Sequence, residues 1–149
     1  MGKELIRTGT IKANSRHFFF YGGPVLAYAI LIYFLSSLTN FPEEIPSFFG
    51  FDKIAHFLEY YFFGCLLYRW FSSMKRSRNR RSALWMTLVI GTIYALSDEW
   101  HQSFVPGRDA SLWDALFDAA GIGTGAATCA LILQGFFPMR ARSKNGRFY

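Results

Sequence analysis

The chain has 149 residues, enough for one domain, and is 52% hydrophobic and 19% aromatic but only 17% charged, against about 25% charged in ordinary soluble domains. That balance excludes a disordered tail, a collagen-like repeat or a low-complexity linker, and argues against a conventional soluble enzyme. The net charge of +6 sits between long apolar runs, which points to a multi-spanning membrane protein and away from nucleic acid.

A helix needs about 20 largely apolar residues to cross a bilayer. The N-terminal segment 1–17 is basic, with Lys3, Arg7, Lys12 and Arg16, and the uncharged run 18–38 follows it as the first predicted span. No A-x-A-like site follows this run, so it is expected to stay as an anchor rather than be cleaved. Gly22, Gly23 and Pro24 predict either a bend or a later helix start. The second predicted span covers 54–71 and carries His56, Glu59 and Arg69. The third covers 84–97 and is short. Either its helix continues through Trp100 and His101, or the chain dips back into the membrane. The fourth covers 112–137, with Asp114 and Asp118 near its start, and a basic tail, 138–149, follows. Cys65 and Cys129 lie inside apolar runs and make neither a disulfide scaffold nor a four-cysteine zinc site. The expected fold is all-α: a single polytopic membrane domain over 1–149, built as a bundle of four transmembrane helices, with no internal repeat.

Orientation follows from lysine and arginine. Fourteen of the 16 lie before the first span, around the turn after the second (Arg69, Lys75, Arg76, Arg78, Arg80, Arg81) or in the tail. Only Lys53 and Arg108 belong to the other side. Both termini are therefore expected in the cytoplasm and the chain in the plasma membrane, with its basic rim toward anionic lipid. The acids do the opposite. Glu43, Glu44, Asp52, Glu59, Asp98, Glu99, Asp109, Asp114 and Asp118 fall in the outer half, and only Glu4 falls inside.

Asp52, His56 and Glu59 are spaced i, i+4, i+7 and share one helix face. Asp52 reads equally as the N-cap of the second helix. Glu59 lies roughly 10 Å deeper along the axis. An ionised carboxylate facing lipid there is costly, so Glu59 is expected to be protonated, paired or turned to a wet cavity, with His56 as its partner. The segment from Ser97 to Asp109 sets Asp98 and Gln102 one turn apart, as it does Ser97 and His101, if the helix continues. Pro106-Gly107 predicts a tight turn with Gly107 at positive φ. Arg108 either pairs with the acids or binds a phosphate or carboxylate. Ser111-Leu112-Trp113-Asp114 has the spacing of a capping box, which accounts for Asp114. Asp118, one turn deeper, is not explained by capping. Gly121 and Gly125 form a small-xxx-small pair that suits packing within the bundle or a homo-oligomer seam.

These residues bound the chemistry. His56, Glu59, Asp98 and Glu99 are the candidates for acid–base work, and Asp52, Gln102, Arg108, Asp114 and Asp118 for ligand binding. A divalent metal is a further option, with His56, Glu59 and Asp98 as its candidates, although no H-E-x-x-H is present. No motif surrounds Ser97, Ser103 or Ser111 to make a nucleophile, and Walker and dinucleotide glycine patterns are absent. The residues do not separate catalysis from binding.

Three blocks carry a family resemblance. Asp52-Lys53-x-x-His56-Phe57-x-Glu59-Tyr60, then Ser97-Asp98-Glu99-x-x-Gln102-x-Phe104-x-Pro106-Gly107-Arg108, then Ser111-x-x-Asp114-x-x-x-Asp118-x-x-Gly121 resemble the VanZ-like family. The resemblance runs from Asp52 to about Gly125 and departs at Asp118, where the family usually has Asn. It implies a small polytopic membrane protein associated with bacterial resistance to teicoplanin-type glycopeptides, and it carries no catalytic assignment. The resulting expectation is a cell-envelope protein, surrounded by membrane lipids, that binds or modifies a lipid-linked cell-wall precursor or a glycopeptide at an acidic outer site. The alternative is a non-catalytic accessory whose polar network is structural. A small proton-coupled transporter ranks below both, since four short spans leave little room for a pathway.

Overall fold

The computed structural model describes residues 15–39, 51–74, 79–108 and 110–136. Most of the basic N-terminal segment, the tail, Lys75, Arg76, Arg78, and the acids Glu43, Glu44 and Asp109 lie outside the described residues. Among the described residues the chain is all-helical, with no strand.

The first helix begins with a π-helical turn, Phe18–Gly22, and continues as α1, Gly23–Ser36. Pro24 sits in the first turn of α1. A proline ring crowds the carbonyl four residues back and brings no N–H to bond it. The wider turn just before it absorbs this, with the Gly23 N–H reaching back to the Phe18 carbonyl. Gly22-Gly23-Pro24 therefore marks a local widening, and the helix runs unbroken over Ser15–Ser36.

Helix α2 spans Phe51–Ser73 and α3 spans Arg80–Gln102, 23 residues each. At 1.5 Å per residue each is about 34 Å long. Helix α4 spans Leu112–Phe136. Asn79 caps α3 by accepting from the Arg81 N–H at 3.3 Å. Of the two expectations for the third segment, the continued helix is the observed one. Helix α3 holds Ser97, Asp98, Glu99, Trp100 and His101 and ends at Gln102. Gly107 has φ of 83°, and the Arg108 N–H reaches the Val105 carbonyl at 3.1 Å. Proline second and a positive-φ glycine third is the pattern of a type II turn.

Helices α2 and α4 run in the same direction and make the most extensive pairing in the bundle. Three glycines permit it. Gly64 lies against the Ile122 backbone, Gly121 against the Phe57 carbonyl, and Gly125 against the Tyr61 carbonyl. Gly121 and Gly125 are thus used in an intrachain contact, and the Cys65 thiol donates to the Gly125 carbonyl at 3.2 Å. Helix α3 packs antiparallel to both, with Gly91 over the Ile122 side chain. Helix α1 lies antiparallel to α2 and parallel to α3. Its Tyr28 hydroxyl donates to the Glu59 carbonyl at 3.2 Å, and its Ala29 carbonyl accepts from the Tyr94 hydroxyl at 2.6 Å.

The interior contains Tyr60, Phe63, Leu67, Tyr68, Ile122 and Ala126. On α3 the inward face is small or polar: Ala83, Thr87, Gly91, Ala95, Asp98 and Gln102. Its large apolar side chains, Trp85, Val89, Ile93 and Leu96, face outward. Two helices, Ser15–Ser36 and Leu112–Leu133, are long and apolar enough to cross a membrane by length and composition. Helices α2 and α3 match them in length but carry four charged side chains each, against two, Asp114 and Asp118, in Leu112–Leu133.

Candidate functional site: a buried polar cluster at one end of the bundle

The antiparallel arrangement brings the C-terminal ends of α1 and α3 beside the N-terminal ends of α2 and α4. All six described acids, Asp52, Glu59, Asp98, Glu99, Asp114 and Asp118, belong to that half. Arg69, stacked over the Tyr21 ring at 4.7 Å, and Arg80 and Arg81 at the start of α3 lie toward the other end.

His56 is the hub. Its Nδ1 is 3.0 Å from Asp118 Oδ1 and 3.9 Å from Glu99 Oε1, and its Nε2 is 3.9 Å from Asp52 Oδ1. His56 and Glu99 are buried and Asp118 is completely enclosed. The partner expected for His56 was Glu59, and this is corrected: Asp118 of α4 takes that place. Residues three apart on a helix differ by about 60° in direction, so His56 can face the α2–α4 seam while Glu59 does not. The same pairing accounts for Asp118, which capping could not.

The capping box also needs correction. Ser111 does cap α4, its Oγ accepting from the Trp113 N–H at 3.2 Å. The return bond comes from another helix: Glu99 Oε2 accepts from the Ser111 N–H at 3.0 Å. Asp114 is buried and forms an ion pair with Lys53. Asp52, exposed and 3.7 Å from Lys53, lies in the first turn of α2 rather than ahead of it. Lys53 was not singled out as a site residue. Its adjacency to Asp52 in the first family block was the available signal.

One residue earlier on α3, Asp98 faces a different neighbourhood. It accepts from Gln102 Nε2 at 3.0 Å, the expected one-turn pair, and both are buried. Asp98 lines a cavity of about 360 Å³ with Tyr33, Tyr94, Ser97, Trp100, His101 and Phe104. Ser97 and His101 do not pair. The Ser97 hydroxyl donates to the Tyr94 carbonyl, whereas His101 Nε2 meets Ser37 Oγ at 2.9 Å and its ring stacks on Tyr33 at 4.7 Å. Trp100 and Phe104 are exposed and meet edge to face. Tyr33 and Tyr94 of this aromatic wall were missed, because aromatic residues inside apolar runs carry no signal of their own. Arg108 Nη2 donates to the Leu35 carbonyl at 2.8 Å, binding the 103–108 turn to the C-terminus of α1. Glu59 is half-buried and feels the charges of His56, Asp98 and Asp118. Its Oε1 is enclosed with no hydrogen-bond partner among the described residues.

The metal candidates named from sequence regroup. Glu59 and Asp98 do not join His56 in a ligand set. Two sets do form among the described residues: Asp52, His56 and Asp114, and His56, Glu99 and Asp118, each with its ligand atoms within 4.8 Å of one another.

A family model described as VanZ/LLP1 matches residues 8–134. No curated protein and no solved structure gave a match to the chain. The family match takes in the first, second and third motif blocks, both apolar helices and every member of the polar cluster, and the chain belongs to the VanZ/LLP1 family.

Proposed function

We propose that the chain crosses the cytoplasmic membrane four times with both termini inside, and that its polar half is an outward-facing binding site. Its ligand is a lipid-linked cell-wall precursor or a surface-bound glycopeptide, and occupancy of the site contributes to resistance to teicoplanin-type glycopeptides. The observation that carries this reading is the concentration of buried, imperfectly satisfied carboxylates on one end of the bundle, beside an aromatic cavity. Removing a charge from water costs several kcal/mol, about, unless it is well paired. Packing alone gains nothing from the enclosed, unpartnered Glu59 oxygen or from a buried Asp98 beside the cavity. The four-span topology is supported by the apolar outer surfaces of the two more polar helices, with Ile54, Leu58 and Phe62 on α2 and Trp85, Val89 and Ile93 on α3. In water such a surface would be an aggregation liability; in lipid it is the solvated face.

A structural reading is favoured at two places. Glu99 caps α4, and Lys53 with Asp114 ties the N-terminal ends of α2 and α4 together. Asp98 separates the two readings, because among the described residues its only side-chain bond is to Gln102 on its own helix. The test is teicoplanin susceptibility of a sensitive Gram-positive host expressing wild type or Asp98→Asn at matched membrane abundance. Protection by wild type that is lost in Asp98→Asn is expected. Equal protection by both refutes a ligand site at the cavity wall.

A further inference from the structure

We propose that His56, Glu99 and Asp118 hold a divalent transition-metal ion of the Zn²⁺ or Mn²⁺ type, one ligand coming from each of α2, α3 and α4. This deepens the binding-site reading above and rests on it only for the ion's purpose. The three side chains are buried, with relative exposures of 7%, 7% and 0%. Their ligand atoms lie within 4.8 Å of one another. Metal–ligand bonds of about 2.1 Å set neighbouring ligand atoms roughly 3.0–3.4 Å apart. The observed separations from His56 Nδ1, 3.0 Å to Asp118 and 3.9 Å to Glu99, bracket that range.

A plain histidine–aspartate hydrogen bond leaves the cluster incomplete. It uses Nδ1 and Asp118 Oδ1 and strands two buried acceptors, Glu99 Oε1 and Asp118 Oδ2, neither of which has a hydrogen-bond partner among the described residues. Buried oxygens with no donor are rare in folded proteins. A cation satisfies both and offsets two enclosed carboxylates. The surroundings also suit a ligand set. Glu99 is oriented by its other oxygen, which accepts from the Ser111 N–H. His56 turns its second nitrogen toward Asp52, in the direction that a carboxylate takes behind a metal-bound imidazole. The competing set of Asp52, His56 and Asp114 is less suited, because Lys53 already neutralises Asp114 and Asp52 is exposed. One imidazole with two carboxylates selects Zn²⁺ or Mn²⁺ over Mg²⁺ and Ca²⁺, which take all-oxygen sites. Three protein ligands leave a coordination position for an oxygen of the bound molecule.

The test uses the full chain purified in detergent, stripped with a chelator, and re-exposed to Zn²⁺, Mn²⁺ or Mg²⁺. Bound metal is measured by mass spectrometry of the elements, and unfolding by thermal melting. The expected result is one Zn²⁺ or Mn²⁺ retained per chain, a raised melting temperature, and little effect of Mg²⁺. Asp118→Asn keeps the side-chain shape and is expected to weaken retention at least tenfold. No retained metal and no change in melting of the wild type overturns the proposal. So does equal retention by Asp118→Asn and His56→Gln, which would put the ion elsewhere. Neither readout involves resistance, so a failed metal test leaves the ligand-site reading standing, and a failed susceptibility test leaves the metal site standing.

Discussion

Replacing Gly125 with alanine adds one methyl group where the structure has no room for it. The new Cβ would collide with the Tyr61 carbonyl and lie 2.9 Å from the Tyr61 carbonyl carbon and 3.2 Å from the Cys65 nitrogen. Comfortable carbon contacts begin at about 3.5 Å. All three obstacles are backbone, so no side chain can rotate away, and α2 and α4 must part by roughly 1 Å. Gly123, two residues earlier on the same helix, is the internal control. A Cβ there meets only Leu88 Cδ2, at 3.7 Å. Alanine gains up to about 1 kcal/mol of helix propensity over glycine at either position. That gain cancels between the two variants, so their difference is the overpacking itself, about 1–3 kcal/mol, toward the upper end for backbone obstacles. Parting the helices also weakens the Cys65 bond to the Gly125 carbonyl. Reversible unfolding in mixed detergent reads the difference directly. Gly125→Ala should be clearly the less stable of the pair. Equal stability would refute the close α2–α4 approach on which the geometry of the polar cluster depends.

Other perturbations test the cluster piece by piece. Lys53→Met leaves Asp114 buried without its cation and should cost about 1–3 kcal/mol in the same unfolding assay, with much of the loss recovered in a Lys53→Met, Asp114→Leu double variant. Ser111→Ala removes the side-chain cap of α4 and should cost about 1 kcal/mol; a neutral result would show that Glu99 alone secures that helix end. Trp100→Ala and Phe104→Ala alter exposed side chains at the cavity mouth, so stability should change by less than about 0.5 kcal/mol while teicoplanin protection falls. Unchanged protection in both would remove the cavity from the ligand's path.

The helices and their polar half were legible in the sequence, but the pairings inside that half were not. Apolar runs located all four helices because the outward-facing side chains are apolar along most of each helix. They understated the third helix, because hydropathy stops at Ser97 while backbone hydrogen bonding carries α3 on to Gln102. Pro106-Gly107 announced its turn, since its geometry is set by the two residues themselves. The partners of His56 and Asp114 were misjudged for the opposite reason. Asp118 lies 62 residues from His56, and Lys53 lies 61 residues from Asp114, so no local spacing rule reaches them. The readings from sequence favoured Glu59 and Ser111 because those were the nearest plausible partners along the chain. Glu99 shows the same limit, since its role at the start of α4 depends on the fold of the turn between the two helices.

Glu59 tests the central claim most directly, since among the described residues its Oε1 is enclosed without a hydrogen-bond partner and its side chain is in none of the ion pairs that join the helices. The measurement is teicoplanin susceptibility of a sensitive Gram-positive host carrying wild type or Glu59→Gln, with membrane abundance matched and melting temperature measured on the purified proteins. Wild type should protect, and Glu59→Gln should lose protection at unchanged melting temperature. Equal protection by the two proteins would contradict a functional acidic site and assign the polar half to packing.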